Sequence, residues 1–208
     1  MIALYAIALG APDGLAGARG EPLRRLPWGA MTLLAGDAPL PLSAETLRAH
    51  EAAVRRIAEQ SEACLPARFG AAAESDDALV KAMRAREGEL LDALRLVRGR
   101  EQMTLRIHGS PVPAAAGAGG TGYLEQRRRE QRLPALDPLR AALDGTVRAE
   151  RIEPHTEAGL LASVYHLIDR GAAPRYAQIV RETPLGDLRA VVTGPWPAWS
   201  FAPEVARS

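Results

Sequence analysis

The chain has 208 residues, 47% of them apolar, with 26 basic against 25 acidic side chains and a formal net charge of +1. That length accommodates one large domain or two small ones with real cores. The near-neutral balance argues against a dedicated nucleic-acid binder, and an aromatic share of 4% argues against base-stacking surfaces.

The opening stretch, 1-MIALYAIALG-10, is apolar but has no Lys or Arg ahead of it and is too short for a membrane span of ~20 residues. It predicts a buried strand over 2–9 instead. No later segment is continuously apolar for a span, and the lone cysteine, Cys64, suits a reducing compartment. These features predict a soluble, cytoplasmic protein. A second strand is expected over 29–36. Ser43 then caps a helix whose N3 position holds Thr46, not Glu or Gln, which leaves the capping box incomplete. Leu47, His50, Val54, Ile57 and Ser61 form one stripe of that helix.

A short strand, 64-CLPARFG-70, places Leu65, Ala67 and Phe69 on a helix-packed face and Arg68 on the opposite one. The next helix opens at Ser75 or Asp76. Its stripe runs Leu79/Val80, Met83, Leu90/Leu91, Leu94 and Val97, interrupted by Glu87, and Gly99 ends it. Strand 101–108 alternates Met103, Leu105 and Ile107 against Thr104, Arg106 and His108. The Pro- and Gly-rich 109-GSPVPAAAGAGGTG-122 reads as a linker between a domain over 1–108 and another over 123–208.

Beyond the linker come a polar helix over 123–133 and a helix capped by Asp137 with Pro138 first. Strands follow at 146–153 and 160–169. Pro174 then opens a short helix with Tyr176, Ile179 and Val180 inward, and a last strand over 187–194 runs into 195-PWPAWSF-201. Strands and helices do not alternate at doubly wound length. The fold class is therefore α+β: two small domains, each a mainly antiparallel sheet with helices on one face.

Catalytic and metal motifs fail one by one. His50-Glu51 opens an HExxH pattern, but Val54 stands where the second His is needed, and His108, His155 and His166 show no ligand spacing. His50 reads as a structural, hydrogen-bonding residue. Gly117, Gly119 and Gly122 fit GxGxxG, yet Pro111 and Pro113 separate them from the preceding strand and no βαβ unit follows. Cys64 sits among apolar neighbours as an inert thiol. No catalytic residue, metal or cofactor is assigned.

Binding surfaces are easier to find. Arg127–Arg129 and Arg132 alternate with Glu125, Glu130 and Gln131 as a solvated helix face, on which Arg128 and Arg132 form a candidate ridge for an acidic partner. Arg68 and Arg106 support two readings: an ordinary ion pair, for Arg68 with Glu87, or a polar open sheet face used for docking. In 194-GPWPAWSF-201, Trp196 suits an aromatic latch, and Trp199 suits either a latch or a contact patch.

The segments 3-ALYAI-7, 43-SAETLRAHEAAVRRI-57, 65-LPARFG-70, 122-GYL-124, 161-LASVYHLIDR-170 and 193-TGPWPAWSF-201 occur in that order. Together they resemble the gas vesicle GvpL/GvpF family nearly end to end. The resemblance implies a two-domain α+β protein whose C-terminal domain is a modified ferredoxin-like fold, with Phe69 and Tyr123 in structural places. It implies an accessory or minor structural component of gas vesicles, cytoplasmic or vesicle-associated. Its expected partners are the shell protein GvpA and other accessory Gvp proteins, with no nucleic acid, membrane or cofactor. Two alternatives are an enzyme using His50 and Glu51 beside Arg68 in a cleft, and an RNA-binding module on the Arg127–Arg132 ridge.

Overall fold

A computed structural model describes residues 1–109, 133–155 and 159–203, and the expectations for Tyr123, Arg128, Arg132 and the linker beyond Gly109 lie outside them. The chain forms two compact units, Met1–Arg100 with Trp196–Ser208, and Glu101–Pro195. This differs from the expected division into 1–108 and 123–208 at both ends. Strand 101–108 belongs to the second unit, because its pairing partners are there, and the aromatic tail returns to the first.

The first unit is built on β1 (Ile2–Leu9), a run in which Leu4 to Ala8 are all buried. β1 pairs antiparallel with β3 (Met31–Gly36) on one side and with β4 (Ala63–Pro66) and the short β5 (Ala72–Ala73) on the other. β2 (Arg24–Trp28) completes the order β2-β3-β1-β4 through a tight hairpin in which Gly29 takes a positive φ of 58°. β2 was not expected from the sequence. Its RRLPW run lacks an apolar alternation, and its Pro27 is tolerated because the strand lies at the sheet edge. At Gly36 a side chain would meet the Tyr5 ring at 2.9 Å, so glycine there leaves room for that ring.

Helix α1 (Ala44–Gln60) buries His50, Ala53, Val54 and Ile57, a spacing that puts them on one face. Its capping box is complete, contrary to the expectation. The Thr46 hydroxyl accepts from the Ser43 amide at 3.0 Å, doing the work of the usual Glu, while the Ser43 hydroxyl accepts from Thr46 N at 3.1 Å. Leu47 does not join the buried stripe; it is exposed. The single second helix expected from Asp76 is two, α2 (Asp76–Arg84) and α3 (Glu87–Val97). The break falls at Ala85-Arg86, where Arg86 turns to hold Glu89 at 2.8 Å.

The second unit carries β6 (Arg100–His108), β7 (Val147–Pro154), β8 (Leu160–Asp169) and β9 (Arg189–Trp196) in the order β7-β8-β6-β9. β7 and β8 are antiparallel, with Glu150 opposite His166 and Ile152 opposite Val164. Helices α4 (Asp137–Ala142) and α5 (Ala173–Glu182) complete it. Met103, Leu105, Ile107, Leu139, Val164, Ile168, Tyr176 and Val180 form its core. Asp137 is not the cap of α4. Leu136 holds that position, and Asp137 sits inside the first turn, bonded to Arg140 at 2.7 Å.

Candidate functional site

In the first unit the residues singled out from the sequence converge on His50. It is 6% exposed and its Nε2 lies 3.0 Å from the Ala67 carbonyl. A carbonyl only accepts, so Nε2 carries the proton. The Tyr5 ring stacks on the imidazole at 5.0 Å, Phe69 meets it edge-on at 5.5 Å, and Trp199 lies at 6.4 Å. Burial pulls the His50 pKa below its ordinary value, and the bond to Ala67 only partly offsets this.

The space beside this cluster is about 10 Å³, at the lower limit for one water molecule. Glu51, offered as a companion to His50, instead reaches Arg55 at 3.9 Å. Arg68 is exposed in a turn, where its carbonyl accepts from the Ala71 amide at 3.0 Å. His50, Glu51 and Arg68 therefore do not share a cleft.

The same turn corrects the expected strand 64–70. Pairing stops at Pro66, so Arg68 does not stand on a sheet face. Arg106 is exposed on β6 in the other unit, so the expectation that the two arginines share one open face also fails. Glu87 begins α3, with its carboxylate 3.4 Å from where a Gly29 side chain would begin.

The tail packs on the first unit. Phe201 is 2% exposed, a burial worth roughly 1.5–3 kcal/mol. Trp199 lies against the core of Tyr5, Val54 and Ile57, and the Arg55 guanidinium covers the Trp196 ring at 4.8 Å. Both indoles are half-buried. This geometry is the one a latch requires.

Two polar constellations were not anticipated. In the first unit the Tyr5 hydroxyl donates to Glu21 at 2.9 Å and accepts from the Ala18 amide at 3.0 Å, closing the loop after β1. In the second, His166, 3% exposed, lies between the Tyr176 hydroxyl at 2.7 Å and the Glu150 carboxylate at 2.9 Å. Arg140 holds the same carboxylate at 3.2 Å. The bond from His166 and the charge of Arg140 keep Glu150 below the usual carboxylate range despite burial. Burial, with Glu150 nearby, pushes the Tyr176 phenol far up, so it keeps its proton; the carboxylate only accepts, so Nε2 donates to Glu150, and Nδ1 of the neutral ring accepts from Tyr176. Tyr176 is fully buried, so this chain of bonds runs inward from the exposed Glu150 and ties α5 to β8 and β7.

Arg106 stands on the other side of β6 from Met103, Leu105 and Ile107; burial and the bond to Glu153 raise the Tyr165 phenol of β8, and the charge of Arg106 offsets a small part of that rise. The Tyr165 hydroxyl donates to Glu153 of β7 at 2.7 Å. Arg106, Tyr165 and Glu153 thus form a polar, accessible band across three strands. Among the described residues no cluster of His, Cys, Asp or Glu has metal-binding geometry, and no helix is long and apolar enough to cross a membrane.

Comparison with known proteins agrees with this architecture. Gas vesicle protein L of Streptomyces sp. (strain CB03234) is 26% identical over 234 residues, covering 92% of this chain and 87% of that protein. Gas vesicle protein F of the same strain is 26% identical over 211 residues, covering 87% and 88%. The fold is that of the crystal structure of gas vesicle protein GvpF from Microcystis aeruginosa, with a TM-score of 0.73 at 16% identity over 97% of this chain and 98% of that one. GvpF from Anabaena sp. PCC7120 gives a TM-score of 0.74 at 15% identity, over 97% and 95%. The family model for gas vesicle synthesis protein GvpL/GvpF matches residues 2–203, and the chain belongs to that family.

Proposed function

We propose that this chain is an accessory or minor structural component of gas vesicle assembly. It acts by binding the shell protein GvpA and other accessory Gvp proteins, associates with the vesicle, and catalyses no reaction of its own. The observation that carries the reading is the family match across 2–203. The geometry is in keeping with it: His50 is sealed among rings, while Arg68, Arg106 and the half-buried Trp196 and Trp199 are accessible side chains of the kind that make protein contacts. The order β7-β8-β6-β9, with α5 between β8 and β9, supports a ferredoxin-like second unit.

The test is co-purification with GvpA, comparing wild type with Arg106→Glu and Arg68→Glu. Binding by wild type is expected, weakened about fivefold by charge reversal at whichever arginine meets the partner. Failure of wild type to retain GvpA or any accessory Gvp protein overturns the reading.

A further inference from the structure

The second sheet turns one face to its core, and the alternate residues of its strands stand on the other. On that outer face Arg151 is opposite Tyr165, and Glu153 is opposite Ser163. Arg106 lies between the buried Leu105 and Ile107 in sequence, and Arg189 precedes Ala190, which packs against the core. Arg106, Arg151, Glu153 and Arg189 are all exposed.

These residues gather at one end of the strands. The Gly109 amide, just past β6, donates to the Gly159 carbonyl, just ahead of β8, at 3.2 Å. A side chain at Gly109 would meet Leu188, the residue ahead of Arg189. Toward the other end of β6 and β8, Gln102 and Leu167 are buried, so the accessible part of the face is this basic end. Its three arginines share it with one carboxylate, Glu153, which already accepts from the Tyr165 hydroxyl at 2.7 Å. Counting in Asp187, exposed in the loop before β9, leaves the balance positive, in a chain whose net charge is only +1.

We propose that this end of the outer face receives an acidic segment of a partner protein. In the strand order β7-β8-β6-β9, a segment lying across the strands passes Arg151, the Tyr165 ring, Arg106 and Arg189 in turn. Its carboxylates pair with the arginines and avoid Glu153, so they are spaced, not contiguous. A nucleic acid suits the face less well. Glu153 repels a continuous phosphate chain, and the face offers one phenol ring where single-stranded RNA stacks its bases on several. The proposal rests on reading the chain as an assembly component that binds proteins, and it gives that binding a surface and a chemistry.

The test uses the full chain and a synthetic decapeptide alternating glutamate and alanine, titrated at low ionic strength and followed by ¹⁵N NMR. A lysine-alanine decapeptide and an oligouridine are the controls. The glutamate peptide is expected to shift amides of 104–108, 151–153, 163–165 and 189–193, and added salt should reverse the shifts. Arg106→Glu combined with Arg189→Glu should weaken it by about tenfold or more, from two exposed ion pairs, and should let the lysine peptide bind. Glu153→Gln, whose amide oxygen still accepts from Tyr165, should tighten the glutamate peptide about twofold. All three positions are exposed, so the spectra of the variants should be otherwise native. An absence of shifts on this face, an undiminished affinity in the double variant, or tighter binding of the oligouridine overturns the proposal.

Co-purification with GvpA and the accessory Gvp proteins separates this inference from the reading beneath it. If the double variant loses the peptide but keeps those proteins undiminished, the acidic-segment mode falls while the assembly role stands. If wild type binds the peptide on this face but retains no Gvp protein, the face stands and the assembly role falls.

Discussion

The two units each bury a histidine almost completely, 6% exposed for His50 and 3% for His166, and they satisfy it in different ways. His50 is surrounded by rings and has one backbone acceptor, Ala67. His166 is bonded at both ring nitrogens, to Tyr176 and to Glu150, and Arg140 extends the chain of bonds. The first environment mostly needs a flat ring of the right volume. The second needs an imidazole, because no other side chain accepts from a buried phenol and donates to a carboxylate across that span. Equal burial therefore does not mean equal tolerance.

The strongest way to break this comparison is His166→Leu. It leaves the Tyr176 hydroxyl without a partner in a fully buried position and removes one of the bonds held by Glu150. A loss of about 3 kcal/mol is expected. Urea unfolding can assign that loss to the correct unit. Trp28, Trp196 and Trp199 all belong to the first unit, as does Tyr5, whereas Tyr165 and Tyr176 belong to the second. The change should appear in far-ultraviolet circular dichroism while tryptophan fluorescence keeps its wild-type midpoint, and a loss below about 1 kcal/mol would mean that the bonds around His166 do not act as a network.

His50→Leu should cost less, about 1–2 kcal/mol, read by tryptophan fluorescence. The variant forfeits one hydrogen bond and the stacking on Tyr5, but it replaces a polar group in an apolar site with an apolar one. A cost equal to that of His166→Leu would erase the distinction between the two sites.

How far each site was legible in the sequence follows from the kind of contact involved. Helix α1 and strands β1, β7 and β8 were marked by periodicity, which is local. The Glu150–His166 bond was within reach as well, since the predicted strands 146–153 and 160–169, once paired in register, set these residues opposite each other. Tyr176 was not, because its place depends on how α5 lies on the sheet. Likewise β6 alternates clearly, and Arg106 does lie opposite Met103, Leu105 and Ile107, yet alternation does not say which sheet a strand joins, and Arg106 was grouped with Arg68 for that reason. Arg68 was misplaced by extending β4 past Pro66, where the chain turns to put Ala67 against His50.

The smallest effect expected, and the one that isolates His50 most cleanly, is on pH dependence. Burial lowers the His50 pKa from its ordinary value of 6.5, so below that pH the unfolded chain takes up a proton that the folded first unit refuses. Stability attributable to this histidine is complete above 6.5 and is lost as the pH falls from there toward the lowered value, with a slope of at most about 1.4 kcal/mol per pH unit. Glu150 is also lowered, but from 4.5, so its contribution begins to fade only in more acidic solution, and it does so in the second unit. Between pH 7 and 5, tryptophan-monitored stability of wild type should therefore fall more steeply than that of His50→Leu. The two curves should run parallel above pH 7. If the slopes are identical below 6.5, His50 is charged in the folded protein, and the ring cluster around it is more open to water than its 6% exposure implies.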